Sequence, residues 1–287
     1  MSKYCYITLV MKGDAYIPGA IVLAYSLRQT DTKYDINCMI TPDVTEHGKR
    51  QLAIVFDNVY VVDYVRPENK SMLHHLEQSK TKWKRFADFY KWLDVAFTKY
   101  QLFTFTQYDK VVFLDADQII MKNTDHIFDY NTPAGVLSIT SDVTDNKLIP
   151  PKLIKRSLKT KYGIRGNVML LQPSLTFYKQ LLKFINDEKT VRYITQRKFN
   201  AGPDEIVISL MLQNNWHKLP DDIVNQRYST DSRYYILHLL SEKPWVNPEK
   251  RYDDYVIWFA QAKQIVVKYP DLRDLFNKLI IHFDKST

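Results

Sequence analysis

Short apolar runs alternate with segments of helical periodicity through residues 1–140, and this alternation restricts the fold more than any other feature. Tyr4–Val10, Asp35–Ile40 and Lys110–Leu114 are rich in β-branched and aromatic residues, as buried strands are. Helical spacing lies between them, as in the segment AIVLAYSLRQT that begins at Ala20. The alternation predicts an α/β fold in which a central, mostly parallel sheet is flanked by helices.

The composition excludes several classes of protein. Only seven glycines are present and no Gly-x-Gly-x-x-Gly or Walker motif, so a glycine-rich phosphate loop is not expected. No apolar run approaches the ~20 residues of a membrane helix, so no membrane span is expected. Cys5 and Cys38 lie inside apolar runs, which predicts buried, reduced thiols and a cytoplasmic protein.

The chain is basic, since 40 Lys and Arg against 32 Asp and Glu give a net charge of +8. Such a charge favours anionic partners, but it also fits a lysine-rich surface without a partner. One basic stretch, residues 147–161, is broken by two prolines. We predict an exposed or mobile loop there.

Two carboxylates follow a fully apolar strand. Asp115 and Asp117 come directly after Lys110–Leu114, and residues i and i+2 of an extended backbone point to the same side. Ligand sites of such sheets lie beyond the carboxyl ends of the strands, where a cation would relieve the repulsion of two like charges. Oxygen ligands select Mg²⁺ or Mn²⁺. A surface turn with an N-capping aspartate would give the same short motif.

Other candidate residues lie further along the chain. His238 closes a strand-like run and could complete the metal site, although a core histidine is also typical there. Lys243 could meet a diphosphate as a point charge. Asp204 and Glu205 could be catalytic carboxylates, or first-turn acids that stabilise a helix beginning at Pro203.

Four blocks of sequence resemble glycosyltransferase family 8, the glycogenin-like retaining glycosyltransferases. They run from Tyr4 to about Trp245 and read ITLVMKGDAYIPGAIVLAYSLR, CMITPDVTE with VFDNVYVVD, FTKYQLFTFTQYDKVVFLDADQIIMKNTDHIFD, and HLLSEKPW. The third block is the most specific, because its D-x-D and N-x-D-x-[IL]-F motifs have the family's order and spacing. The insert before Thr98 is more similar to members encoded by large DNA viruses and some bacteria than to animal glycogenin.

The resemblance implies a single nucleotide-diphospho-sugar transferase (GT-A type) domain over 1–287. It comprises a nucleotide-binding half at 1–140, an acceptor and sugar half at 141–245, and C-terminal helices at 246–287. The implied activity is retaining, Mn²⁺-dependent transfer of a hexose, glucose in the first instance, from a UDP-sugar to a glycan or protein acceptor, with Mg²⁺ as the alternative ion. Its viral members suggest the host cytoplasm or the virion. No nucleic acid partner is expected, and a homodimer is left open.

The resemblance also assigns the residues that would hold the donor diphosphate. Asp115, Asp117 and His238 would bind Mn²⁺, which in turn would hold the diphosphate of the UDP-sugar. Lys99 would reach the donor phosphates or the sugar, and Lys243 the departing β-phosphate.

The nucleoside would be held by the end of the first strand and the segment after it. Thr8, Leu9 and Val10 would form a uridine pocket with Tyr16, whose ring would pack on the base. Ala116 would offer backbone contacts to the ribose.

The sugar side departs from the family in one residue. Asp204 and Glu205 fall where the family has Asp-Gln beside the transferred sugar, and with Lys243 they are the candidate catalytic residues, Asp204 being the best placed nucleophile. Arg165 stands where the family has the asparagine that holds the donor sugar, so the choice of sugar is open.

Two further departures lie near the distal histidine. Ser241 replaces a glycine in a motif that is one residue shorter than the family's H-x-x-G-x-x-K-P-W. Only 12 residues separate Asn225 from His238, so the tyrosine-bearing segment of glycogenin has no counterpart. We expect self-glycosylation to be minor.

Two alternatives remain open at this point. A sugar-nucleotide pyrophosphorylase would share the sheet, although its glycine-rich phosphate loop is missing after the first strand. A non-catalytic nucleic-acid-binding protein would fit the positive charge, and salt-dependent binding without metal or UDP would favour it.

Overall fold

The structure, a computed structural model, describes residues 3–82, 92–196, 202–225, 230–240 and 242–285. Within these ranges the strands are β1 (Tyr4–Val10), β2 (Asp35–Ile40), β3 (Asn58–Val61), β4 (Lys110–Leu114), β5 (Gln118–Ile120), β6 (Ala134–Leu137), β7 (Ile164–Leu171), β8 (His217–Lys218) and β9 (Ile236–His238). The α-helices are α1 (Ile17–Arg28), α2 (Glu46–Ala53), α3 (Lys70–Lys82), α4 (Pro151–Thr160), α5 (Leu175–Asn186), α6 (Glu188–Thr195), α7 (Pro203–Met211), α8 (Asp253–Lys268) and α9 (Arg273–Lys285).

The described strands form a large mixed sheet and a small one. The large sheet has seven strands in the order β3-β2-β1-β4-β7-β6-β8. Strand β2 pairs in parallel with β1 and β3, and β6 in parallel with β8, whereas β6 and β7 are antiparallel. Strands β5 and β9 form a separate antiparallel pair. The central sheet with flanking helices confirms the predicted α/β class.

The chain divides into two compact units. Unit 1 consists of Met1–Tyr4, Val62–Phe113 and Tyr130–Pro220. Unit 2 consists of Cys5–Val61, Leu114–Asp129 and Asp221–Thr287.

Each unit has an apolar core. In unit 2, α1 is buried from Ile17 to Leu27, because its sequence is apolar on every side, and it packs against β5 and α8. In unit 1, the 3₁₀ helix Leu93–Thr104 buries aromatic rings and packs against α3, α5 and α7. No described helix combines the length and apolar character needed to cross a membrane.

The prediction of an exposed loop over 147–161 is wrong, because α4 occupies most of that stretch. Its prolines precede or open the helix, where the missing N–H of proline costs nothing. Ile154, Ser157 and Leu158 recur at helical spacing and are buried, which leaves the basic side chains on the opposite side.

The two cysteines behave as predicted. Cys5 and Cys38 are free, reduced thiols and are buried. Burial raises the pKa of the Cys38 thiol far above its usual range, so it stays protonated.

Candidate active site

Three potential metal ligands from distant parts of the sequence meet in unit 2. One ligand atom from each of Asp115, Asp117 and His238 lies within 4.8 Å of the other two. The carboxylates lie in the turn between β4 and β5, and β9 pairs with β5 so that His238 is opposite Gln118. The N–H of Leu239 also donates to the carbonyl of Asp117 at 3.0 Å, which holds the residue after His238 against the turn that carries the carboxylates. The small β5–β9 sheet therefore brings the histidine to the carboxylates.

The chemistry and spacing of this cluster fit a divalent cation. Ligands at about 2.1 Å from one ion lie at most ~4.2 Å apart, so donor atoms within 4.8 Å need only a small contraction. Carboxylates suit Mg²⁺ and Mn²⁺, and a neutral imidazole adds a ligand suited to transition metals. The residues present can thus hold Mn²⁺ or a similar ion.

Asp117 is the electrostatic centre of the cluster. Its Oδ2 lies 2.7 Å from Nζ of Lys243, and its Oδ1 lies 3.3 Å from Nε2 of His238. Burial opposes ionisation of the carboxyl, but Lys243 and His238 together outweigh burial and hold the pKa of Asp117 well below its usual range. Lys243 also donates to the carbonyl of Leu239. Asp117 is therefore an anion at neutral pH, with a lysine already at its side.

A buried asparagine fixes the position of the histidine. Asn225 accepts a hydrogen bond from the backbone N–H of His238 at 2.7 Å and donates its own amide to the His238 carbonyl at 3.2 Å. Both contacts use the backbone of residue 238, so they set its position without using the imidazole. In the sequence Asn225 only marks one end of the 12-residue connector before His238, and no local pattern predicts its contacts with that histidine.

A glycine on α1 allows the metal turn to pack closely. A Cβ added at Gly19 would lie 2.7 Å from the carbonyl oxygen of Ala116 and 2.5 Å from the ring of Trp245. Neither distance is sterically tolerable, so only glycine permits this approach. Because the sequence has only seven glycines, a glycine inside the apolar helix α1 is the signal that could have identified this close contact.

The residues predicted to contact uridine lie around the end of β1. Thr8 and Val10 are buried, while Leu9 and Tyr16 are half-buried. The hydroxyl of Thr8 has no hydrogen-bond partner within the described part of the chain. The ring of Tyr16 meets the edge of Trp245 at a centroid distance of 5.5 Å.

A second polar cluster lies in unit 1. Nζ of Lys99 is 3.0 Å from Oδ2 of Asp204, donates to the carbonyl of Gly166 at 3.0 Å and lies 4.7 Å above the Phe113 ring. Only 3% of the Asp204 side chain is exposed, and its Oδ1 has no hydrogen-bond partner among the described residues. Lys99 is thus fixed by three contacts and neutralises a buried carboxylate.

The neighbouring carboxylate is held by backbone. Oε1 of Glu205 accepts the N–H of Gly166 at 2.7 Å, and a Cβ at Gly166 would lie 2.7 Å from Cγ of Glu205. The hydroxyl of Tyr100 donates to the carbonyl of Asp204 at 2.7 Å. Both acids at the start of α7 therefore make tertiary contacts, which first-turn acids that only stabilise a helix dipole do not need.

Arg165 precedes Gly166 on β7 and is half-buried. Its Nε is buried without a hydrogen-bond partner in the ranges that the structure describes. Burial and Glu205 raise the pKa of Tyr162, and the charge of Arg165 partly offsets them, so these side chains are neighbours. Arg165 thus stands next to Gly166, whose N–H binds Glu205, and its unpartnered Nε is suited to binding a ligand oxygen.

A model of the family described as glycosyl transferase family 8 matches residues 7–247. The chain belongs to this family. An uncharacterized protein of Acanthamoeba polyphaga mimivirus is 31% identical over 100% of this chain and 98% of its own length. Glycogenin-1 of Oryctolagus cuniculus is 40% identical over 22% of this chain and 19% of its own length. The predicted family and the similarity to viral members are confirmed.

Solved structures of glycosyltransferases share the fold of this family 8 protein. The galactosyltransferase LgtC, solved with donor and acceptor sugar analogues, superposes with a TM-score of 0.59 at 13% identity, over 90% of this chain and 95% of LgtC. The chain spans about half to two thirds of the length of three longer solved glycosyltransferase chains. These likenesses concern the fold alone.

The structure thus brings eight of the predicted site residues of this glycosyltransferase into two clusters. Asp115, Asp117, His238 and Lys243 meet in unit 2, and Lys99, Arg165, Asp204 and Glu205 lie together in unit 1. Ser241 lies outside the described residues. The individual roles of all these residues remain predictions.

Proposed function

We propose that this family 8 glycosyltransferase transfers a hexose, glucose in the first instance, from a UDP-sugar to a glycan or protein acceptor, with Mn²⁺ and with retention. The observation that supports the metal and the diphosphate is the Asp115–Asp117–His238 cluster with Lys243 at 2.7 Å from Asp117. Glycosyltransferases of this fold generally use a nucleotide sugar and a divalent cation.

In this proposal Asp115, Asp117 and His238 hold the cation, which is Mn²⁺ or, as the alternative, Mg²⁺. When bound, the cation supplies positive charge to the diphosphate and stabilises the charge that develops on UDP. Asp117 is ionised at neutral pH and needs no deprotonation before it binds the ion. Lys243, on its flexible stem, binds the β-phosphate as a point charge.

The nucleoside binds at the end of β1. Tyr16 packs on the uracil, while Thr8, Leu9 and Val10 line its pocket and the backbone of Ala116 contacts the ribose. The unpartnered hydroxyl of Thr8 is a hydrogen-bonding group that a bound nucleoside can satisfy.

The sugar binds through the carboxylates of unit 1. Asp204 and Glu205 act on the transferred hexose, since they match the family's Asp-Gln pair, and Asp204 is the candidate nucleophile. Lys99 orients the Asp204 carboxylate through their 3.0 Å contact. Arg165 replaces the family's asparagine and offers Nε, which has no partner among the described residues, to a sugar oxygen.

The experiment that tests the proposal is hydrolysis of the donor without an acceptor. The protein is incubated with Mn²⁺ and a panel of UDP-sugars, and released UDP is measured. We expect release from UDP-glucose above the other UDP-hexoses, loss of release when the metal is chelated, and partial recovery with Mg²⁺.

Hexoses linked to GDP or CDP are the matched controls. They keep the diphosphate and the hexose and replace only uridine by another nucleoside. Release from these donors at the rate of the UDP-sugars would contradict the uridine pocket. Release that persists in excess chelator would contradict the metal site.

A further inference from the structure

The basic stretch that the sequence predicted as a loop forms a helix with an ordered charge pattern. Residues 147–161 contain six Lys and Arg and no Asp or Glu, so this short segment contributes +6 where the whole chain carries +8. Helix α4 covers Pro151–Thr160 within it. Most of the excess charge of the protein therefore has one location.

The charges of α4 lie on one face. Lys152, Lys155, Arg156 and Lys159 are exposed and follow the spacing i, i+3, i+4, i+7, which places them in a stripe about 11 Å long. We call these four residues the basic stripe. None of the four forms an ion pair with a residue that the structure describes.

The opposite face of α4 belongs to the core of unit 1. Ile154, Ser157 and Leu158 are buried, and the hydroxyl of Ser157 lies 2.6 Å from that of Ser138. The apolar side of the helix is thus already used for packing. What the stripe presents to solvent is charge alone.

The basic stripe makes α4 less stable. Four pairs within it lie at i,i+3 or i,i+4, and each like-charge pair costs about 0.2–0.5 kcal/mol on a helix surface. The first turn contains no acidic residue, so Lys152 also opposes the helix dipole. Folding gains nothing from this pattern, whereas a polyanion bound along the stripe would relieve all of these repulsions.

Helix α4 adjoins the sugar cluster of unit 1. It packs against α7, whose first turn carries Asp204 and Glu205. Arg165 follows the last residue of α4, Thr160, by five positions. Between them, the carbonyl of Gly163 accepts a hydrogen bond from the hydroxyl of Ser157 at 3.2 Å. The stripe and the predicted sugar-binding residues therefore belong to one packed assembly.

We infer that the basic stripe binds the acceptor, and that the acceptor is an acidic glycan bearing several carboxylate or other anionic groups. The word acceptor rests on the proposed function. A nucleic acid is less suited, because the exposed residues of α4 are Lys, Arg and Thr and offer no aromatic ring for stacking bases. A membrane is less suited, because the apolar face of α4 is buried and has nothing to insert.

The test measures binding of fluorescein-labelled probes to the whole protein by anisotropy. The probes are an oligogalacturonate, a neutral malto-oligosaccharide of equal length, a single-stranded oligo(dT) of equal charge, and vesicles containing phosphatidylserine. We expect the oligogalacturonate to bind most tightly and to weaken as salt rises from about 50 to about 200 mM, since the contacts are ionic.

The variant replaces the stripe by Lys152→Gln, Lys155→Gln, Arg156→Gln and Lys159→Gln. Its matched control removes four exposed charges elsewhere, by Lys179→Gln, Lys189→Gln, Arg192→Gln and Lys278→Gln. We expect the stripe variant to lose at least about tenfold in oligogalacturonate affinity and the control less than about twofold. Hydrolysis of the UDP-sugar, measured in parallel, should be unchanged in both.

Several results would overturn the inference. One is an equal loss of oligogalacturonate affinity in the stripe variant and in the control. The others are a wild-type affinity for the neutral oligosaccharide equal to that for oligogalacturonate, and tighter binding of oligo(dT) or of the vesicles than of oligogalacturonate. Failure of the wild type to release UDP would contradict the proposed function but would leave the binding result readable. Should the fourfold variant not fold, the pair Lys155→Gln and Arg156→Gln carries the same test with a smaller expected loss.

Discussion

Each unit of this glycosyltransferase holds a lysine against an aspartate, but the two pairs are built differently. In unit 2, Lys243 contacts Asp117 at 2.7 Å in a cluster where a second carboxylate and a histidine also converge. In unit 1, Lys99 contacts Asp204 at 3.0 Å and lies over the Phe113 ring, and each of the two lysines also donates to a backbone carbonyl. Converging ligands suit an exchangeable cation, whereas a fixed pair suits a permanent charge.

The two ion pairs differ in how far folding depends on the lysine. Asp204 has its charge neutralised by one lysine and is almost fully buried, so the fold requires that lysine. Asp117 is more exposed, at 14%, and has His238 as a second neighbour. We therefore expect the fold to depend less on Lys243 than on Lys99.

The largest effect should come from Asp117→Asn. Loss of one preorganised electrostatic group costs ~10²–10³ in rate, and here it also removes a metal ligand. We expect Mn²⁺ binding, measured by calorimetry, and Mn²⁺-dependent UDP release to be lost while the thermal melt stays cooperative.

The matched variant in unit 1 is Asp204→Asn. It should lower UDP release while leaving Mn²⁺ affinity at the wild-type value. Wild-type Mn²⁺ affinity in Asp117→Asn would refute the metal assignment.

The next effect concerns stability and contrasts the two lysines. Lys99→Met leaves the buried Asp204 carboxylate without its ion-pair partner among the described residues, which costs about 3 kcal/mol of unfolding free energy. Lys243→Met should cost less than Lys99→Met, because Asp117 keeps His238 and some solvent. Urea unfolding of both variants measures the difference, and equal losses would show that the two pairs are built alike.

The sequence predicted the strands that position the metal site because their boundaries are chemically sharp. β1, β2 and β4 begin and end as predicted, since Lys12, Thr41 and Asp115 lie within two residues of their C-terminal ends. The metal ligands were predicted from their places after strands. Their proximity, however, depends on the pairing of β5 with β9, a long-range contact between two short strands that no local pattern specifies.

The sequence failed where charge or backbone contacts hide the signal. In α4 the prolines and lysines outweighed the helical spacing of Ile154 and Leu158, although both prolines stand where a helix tolerates them. Asn225 acts on the backbone of His238, so its contribution depends on tertiary position and not on any motif. Asp204 and Glu205 remained ambiguous until their partners in unit 1 were visible.

A smaller effect should follow from Gly19→Ala, which perturbs unit 2 alone. The added methyl group would overlap the Ala116 carbonyl and the Trp245 ring, so α1 must shift from the metal turn. Overpacking of this kind costs about 1–3 kcal/mol. We expect a lower melting temperature together with weaker Mn²⁺ binding, whereas an unchanged melt would show that α1 does not contact the turn this closely.

The smallest effect should come from His238→Ala. The imidazole is one of three candidate ligands, and its loss should weaken Mn²⁺ binding about tenfold, an estimate at the low end for metal-site partners. The melting temperature should hold, because the β5–β9 pairing and both Asn225 hydrogen bonds use the backbone of residue 238, which alanine retains. Asn225→Ala is the matched variant: it removes those bonds and should lower both the melting temperature and the Mn²⁺ affinity. If His238 were instead a packing residue of unit 2, His238→Ala would lower the melting temperature and leave Mn²⁺ affinity unchanged, the reverse of the pattern expected for a ligand.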